Sequence, residues 1–294
     1  MIALAKYNSD PWDLDQAKAT LTEIYELWKE KKGAKMGKAS QGSLAAAFKH
    51  CKQLHNMKYR DIKSFHVQDC IDNCGKGAST QANIKNLFGH LGHLADELGM
   101  LTRPRANMLT TDSKPETSKG PFTEEELASI WKISEVPWVD SILVLMYTGM
   151  RLGELQNLKA EDVNLEAGTL KAASGDKAGK TRAADNRIIP IHSRIMPFVQ
   201  NRTQAGDEYL FAHAGSECSD YRYYRYWGTA LKPLGLDHKR AHECRHTFRS
   251  RLDSAGANKR CIDLIMGHAS TDVGLRVYTH KTVDELKQTI ELLA

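Results

Sequence analysis

The chain has 294 residues and a formal net charge of +5, with a pI near 8.8. That length suits two domains, each able to bury its own core, and the mild basicity makes local clusters of Lys and Arg, not the global field, the means of holding any polyanion. Six scattered cysteines (51, 70, 74, 218, 244 and 261) and a start, Met1 to Asp10, without the apolar stretch of a signal peptide exclude a disulfide-rich secreted domain and read as a cytosolic, reduced protein. No apolar run approaches the roughly 18 residues of a membrane-spanning helix.

From Trp12 to Lys32 apolar residues recur at helical spacing (Leu14, Ala17, Leu21, Ile24, Leu27, Trp28), and Asp10 and Pro11 supply a cap and a start, so one amphipathic helix is expected. Similar periods over 43–55, 66–73 and 79–98, broken at 33–42 and 75–77, predict a small helical bundle for residues 1–107. Cys70 and Cys74, with His50, His55 and His66 nearby, match no compact ligand spacing, so no metal is expected there. Residues 108–121 are polar, hold Pro115 and Pro121 and lack an apolar period, which describes a linker. Thr123 followed by Glu124, Glu125 and Glu126 is a cap with an acidic first turn, and it opens a second domain over 122–294.

Inside that domain residues 138–147 read as an apolar helix, with Arg151 starting a further turn after Gly149. Residues 168–173 and 187–191 read as two strands around a loop rich in Gly, Lys and Arg, and helical periodicity returns from Tyr221 to Leu293. The fold class expected is mainly α with a small antiparallel β-sheet.

Four short motifs carry chemistry: Thr148 to Leu155 (Thr-Gly-Met-Arg-Leu-Gly-Glu-Leu), His242-Glu243-Cys244-Arg245, Gly267-His268, and Tyr278 ten residues further on. Two arginines, two histidines and a tyrosine suit metal-free phosphoryl transfer, because a pentacoordinate phosphate needs positive donors on its equatorial oxygens and a nucleophile in line. In order and spacing these boxes resemble the tyrosine recombinase, or phage integrase, family over roughly residues 120–290. The style of the boxes is closer to integrases of conjugative elements or phages than to Xer recombinases.

The resemblance implies a two-domain C-shaped clamp, with a helical core-binding domain and a catalytic domain. It also implies the roles. Arg151 and Arg245 clamp the scissile phosphate, a task suited to a planar fork that stays charged near neutrality. His242 either accepts the tyrosine proton or donates to phosphate, and His268 is a further donor. Tyr278 is the nucleophile, whose phenol needs nearby cations to ionise from its usual pKa of about 10. Lys180 on the hairpin protonates the leaving oxygen, with Lys177 as a rival. Glu154 either orients the site or is a surface carboxylate, and His246 is assigned to packing or helix polarity. Arg182, Arg222 and Arg225 are candidate DNA contacts, the last two within an aromatic stretch, Tyr221 to Trp227, that equally suits a core-facing stripe.

No cofactor is implied. The partners implied are double-stranded DNA attachment sites, accessory DNA-bending or excision factors, and three further copies of the chain in a tetramer on a Holliday junction. The amphipathic segment 283–293 either joins protomers in that tetramer or packs on its own domain. Two rivals share the scaffold: a type IB topoisomerase and a catalytically silent DNA-binding regulator.

Overall fold

Thr20 caps the first helix among the described residues of the computed structural model, which are 18–100, 103–113, 120–172, 187–268 and 281–294. Its hydroxyl accepts from Glu23 N at 3.3 Å while the Glu23 carboxylate accepts from Thr20 N at 2.7 Å, a reciprocal cap. Helix α1 therefore runs Leu21–Lys31, and the single helix expected over Trp12 to Lys32 does not pass through residues 18–20. Ala19 and Thr20 are drawn into extended pairing instead, with Tyr59 N donating to Ala19 O at 2.8 Å. The proposed start at Asp10 and Pro11 lies outside the described residues.

The chain divides into two compact units, Met1–Glu116 and Thr117–Ala294. In the first, α1 is followed by α2 (Lys38–His50), α3 (Ser64–Asp72) and α4 (Ala78–Glu97). The buried stripe of α1 (Leu21, Ile24, Leu27, Trp28) shares a core with Ile84, Phe88 and Leu91 of α4 and with Leu44 and Ala47 of α2. The expected linker is not free from its start. Leu109 is buried, Lys85 Nζ donates to its carbonyl at 2.7 Å, and Gln81 both donates to and accepts from Asp112. Polar side chains of α4 thus hold the segment up to residue 112 against the first unit. Residues 114–119 lie outside the described residues.

The second unit begins with α5 (Glu124–Trp131), capped by Thr123 and Glu126 as the sequence suggests. Helix α6 (Val139–Thr148) is buried at every position except Asp140, which is why it is largely apolar. It starts one residue later than expected because Trp138 has a left-handed backbone, φ 74°. The remaining helices are α7 (Leu152–Gln156), α8 (Met196–Gln204), α9 (Asp220–Leu231), α10 (Ala241–Ser254), α11 (Lys259–Met266) and α12 (Val283–Ile290). Helix α10, which bears the His-x-x-Arg box, packs along α6.

Strands β1 (Val163–Asn164), β2 (Thr169–Lys171) and β3 (Ile188–Pro190) form an antiparallel sheet in that order. The register pairs Val163 with Leu170 and Leu170 with Ile189. A second hairpin joins β4 (Ala212–His213) to β5 (Ser216–Glu217). Strand β1 and this hairpin escaped the sequence reading because two residues are too few to show a period. The fold is mainly helical with small antiparallel sheets, and no helix among the described residues is long and apolar enough to cross a membrane.

On α9 the aromatic stretch is split, with Tyr221 exposed and its inward face made by two rings. Tyr223 and Trp227 are buried while Arg222 and Arg225 are exposed. The tail packs on its own unit, the second of the two arrangements open to it from the sequence. Leu286, Ile290 and Leu293 enter the second unit's core, because α11 and β3 form the apolar surface that an amphipathic helix needs. The backbone beyond α12 is also pinned: His192 Nε2 lies 2.8 Å from Leu293 O, and Tyr147 Oη donates to Ala294 O at 3.1 Å.

Candidate active site

Gly149 ends α6 with φ 64°, a left-handed cap that L side chains resist. A Cβ there would also stand 2.5 Å from Cδ1 of the buried Phe248. The turn delivers Arg151 to the N-cap of α7, and Glu154 at the third helical position reaches back to it. Arg151 N donates to Glu154 Oε2 at 2.8 Å and Arg151 Nη1 to Oε1 at 3.0 Å.

Glu154 is fully buried, so the surface-carboxylate reading is corrected. Its burial is tolerated because Arg187, itself only 8% exposed, faces it with a parallel fork: Nη1 to Oε1 at 2.9 Å and Nη2 to Oε2 at 2.8 Å. Burial pushes the carboxyl pKa up, but the hydrogen bonds and charge of Arg187, then those of Arg151, outweigh it and leave the group below its ordinary value. The carboxylate is therefore ionised at neutral pH.

Arg245, 3% exposed, is aimed by two carbonyls: Nη1 donates to Gly149 O at 2.6 Å and Nη2 to Met266 O at 2.7 Å. Burial first, and then the charge of Arg151, pull its pKa down to about 9, so it stays cationic at neutral pH. One turn back on α10, His242 is exposed and stands edge-to-face with His246, centroids 4.6 Å apart. Partial burial, His246 and Arg245 hold the His242 pKa below the usual imidazole value, which favours the neutral, proton-accepting form. Of the two readings of His246, packing or helix polarity, its exposure leaves the second, and its ring neighbours His242.

Gly267 ends α11 with φ 69°, and His268 N closes the cap on Asp263 O at 2.9 Å. His268 Nδ1 lies 3.1 Å from Arg249 Nη1 and 3.3 Å from Asp263 Oδ1. When the guanidinium donates to Nδ1, the proton of the neutral ring sits on Nε2, the tautomer that donates to a phosphate oxygen. Burial and then Arg245 lower the His268 pKa, while the Asp263 hydrogen bond opposes them.

Arg151, Glu154, His242, Arg245 and His268 are thus brought into one electrostatic cluster. Each of the two histidines senses Arg245, and Arg245 senses Arg151 and Glu154. Lys177, Lys180, Arg182 and Tyr278 lie outside the described residues. Arg222 and Arg225 sit on the exposed face of α9, where Arg222 contacts the His213 ring. Three members of the cluster were missed in the sequence. Arg187 left a signal, a lone charge at the mouth of an apolar strand. Arg249, one turn after Arg245, and Asp263, five residues before His268, left only helical spacing.

The phage integrase family model matches residues 122–285. The chain is 30% identical over 195 residues to tyrosine recombinase XerA of Pyrococcus furiosus, covering 63% of this chain and just under two thirds (66%) of that relative's length. In structure it is similar to the Tn1549 transposon integrase in complex with transposon right end DNA, with a TM-score of 0.73 and 20% identity over 93% of this chain and 99% of that one. It is also similar to lambda integrase, solved as a tetramer bound to a Holliday junction, with a TM-score of 0.68 and 18% identity over 92% of this chain and 82% of that one. With the matched family model spanning the glycine turn, both arginines and both histidines, the chain belongs to the phage integrase, or tyrosine recombinase, family.

Proposed function

We propose that the chain is a site-specific DNA recombinase that cuts and rejoins duplex DNA through a phosphotyrosyl intermediate. The observation that carries this reading is the buried Glu154 binding Arg151 and Arg187, beside Arg245 and two histidines held neutral. Such a cluster presents fixed cations and ring donors to a phosphate that gains charge in its transition state. The Tyr278 phenolate oxygen attacks phosphorus and forms a 3′-phosphotyrosyl bond while the bond to the 5′ oxygen breaks. His242 takes the phenol proton, and Lys180, or Lys177 in its place, gives one to the departing 5′ oxygen. A 5′-hydroxyl of the partner duplex then reverses the step, so rejoining needs no ATP because the covalent link keeps the bond energy.

In this reading residues 1–107 form the core-binding domain, 108–121 the linker and 122–294 the catalytic domain, and both domains bind the DNA. Arg182, Arg222 and Arg225 contact its backbone or grooves. The substrate is a pair of attachment sites of a mobile element, joined through a Holliday junction by a tetramer. A second reading, recombination of the Xer type, is favoured by the sequence likeness to XerA. Because Leu286, Ile290 and Leu293 are sheathed in their own unit, a tetramer linked by tails requires them to leave that core.

The test is a plasmid carrying two copies of a candidate site. Deletion or inversion between them, lost in Tyr278→Phe, supports recombination. Relaxed topoisomers without recombinants point to a type IB topoisomerase, and binding with neither product to a regulator. Element-flanking sites recombined in preference to resident chromosomal sites support the mobile-element substrate, and the reverse supports the Xer reading.

A further inference from the structure

Arg187 stands where the separate boxes of the site meet, yet it belongs to none of them. Its two Nη atoms hold Glu154, which holds both the backbone and the guanidinium of Arg151. Its Nε donates to Ile265 O at 2.6 Å, on the last turn of α11, two residues before the Gly267 cap that delivers His268. The next carbonyl, Met266 O, is the one that aims Arg245. Arg187 also precedes β3 directly and pairs with β2 through the bond from Ala172 N to Arg187 O at 2.9 Å. One buried side chain therefore ties the hairpin base, the first-arginine turn and the end of α11 to a common frame.

We infer that Arg187 is a positioning residue for DNA cleavage: it sets Arg151 through Glu154 and registers the hairpin against the His268 turn without touching the phosphate itself. The inference rests on the proposed recombinase reading for its reaction, and on the geometry alone for its frame. The chemistry requires arginine. Only a planar fork satisfies both carboxylate oxygens while Nε reaches a third acceptor, and lysine's point charge cannot span the three. A buried Glu154 that loses half its partners no longer fixes Arg151, and a displacement of about 1 Å at a phosphate clamp costs roughly 100-fold in rate.

The experiment compares wild type, Arg187→Lys and the double variant Arg187→Met with Glu154→Gln. Side-chain ¹⁵N–¹H spectra follow the Arg151 Nε–H, assigned by its loss in Arg151→Lys. Single-turnover cleavage of a nicked attachment-site duplex and DNA affinity are measured beside them. The expected result is an Arg151 signal restrained in wild type and motionally averaged in Arg187→Lys, with cleavage slowed roughly 10- to 100-fold and DNA affinity within about twofold. Should Arg187→Lys fail to fold, the double variant removes both buried charges together and keeps the volume, which restores folding, and its cleavage is expected to stay slow. An Arg151 signal that remains restrained in the folded variant overturns the inference whatever the rate, as does wild-type cleavage in the double variant. Loss of Arg151 restraint alongside a wild type that cleaves no attachment DNA leaves the positioning role standing and removes the recombinase reading.

Discussion

Gly149→Ala is the sharpest test of how the fold builds the site. At φ 64° an alanine carries a left-handed penalty of about 1–2 kcal/mol. Its Cβ would lie 2.5, 2.9 and 3.0 Å from Cδ1, Cε1 and Cγ of Phe248. That ring is fully buried against α6, so it yields only by disturbing the core, an overpacking cost of about 1–3 kcal/mol. The sum is about 2–5 kcal/mol. For a unit of this size it lowers Tm by roughly 4–20 °C, at about 2–4 °C per kcal/mol. Urea and thermal melts of the full chain measure it, and Phe248→Leu separates the two parts. If the clash is real, Gly149→Ala costs less in the Phe248→Leu background by about 1–3 kcal/mol, leaving only the backbone strain. Because Gly149 O also aims Arg245, DNA cleavage should fall further than the folded fraction does. A Gly149→Ala chain within about 0.5 kcal/mol of wild type, or strict additivity with Phe248→Leu, would refute the reasoning.

Other outcomes follow from the same geometry. The His242 pKa is held below 6.5, so cleavage that uses its neutral ring should be level at and above neutral pH and lose rate only as pH falls below that value, read from a single-turnover pH profile; an acid limb centred above pH 7 contradicts it. Glu154 has a depressed folded pKa, so its contribution to stability is complete above the unfolded value of 4.5 and is lost as pH falls through the folded one. Glu154→Gln should flatten the stability profile in that acid window, as followed by urea melts at stepped pH. Leu286→Ala and Ile290→Ala should each destabilise the second unit by about 2–5 kcal/mol, since both side chains fill its core; unchanged melts would show that the tail does not dock there. His192→Phe keeps the ring but removes the contact with Leu293 O, and hydrogen exchange along residues 283–293 should accelerate.

The architecture was legible wherever periodicity is long. The helix at residues 138–147 was legible from its largely apolar run, and Thr123 with three glutamates marked the first helix of the second unit. The missed interruption before Leu21 has a local cause: the Thr20 and Glu23 cap lies within an apolar period that runs straight through it. Two-residue strands carry no period at all. At the site, box spacing located Arg151, His242, Arg245 and His268, because a glycine cap and one helical turn are local features. Arg187 acts through its pair with Glu154, 33 positions away in the chain, a distance the sequence does not show, whereas Asp263 reaches His268 across five positions and left only helical spacing. The burial of Glu154 was equally hidden, since a charge in the first turn of a short helix reads as surface until its partner is known.

The central claim is that this cluster serves a tyrosine nucleophile, and one measurement addresses it directly. The full chain is incubated with a nicked duplex of attachment-site DNA, with chelator present, then resolved under denaturing conditions and mapped by peptide mass. A covalent adduct on Tyr278, absent from Tyr278→Phe and strongly reduced in Arg245→Lys, is the predicted result. An adduct on another tyrosine, or one that persists undiminished in Arg245→Lys, would contradict the account.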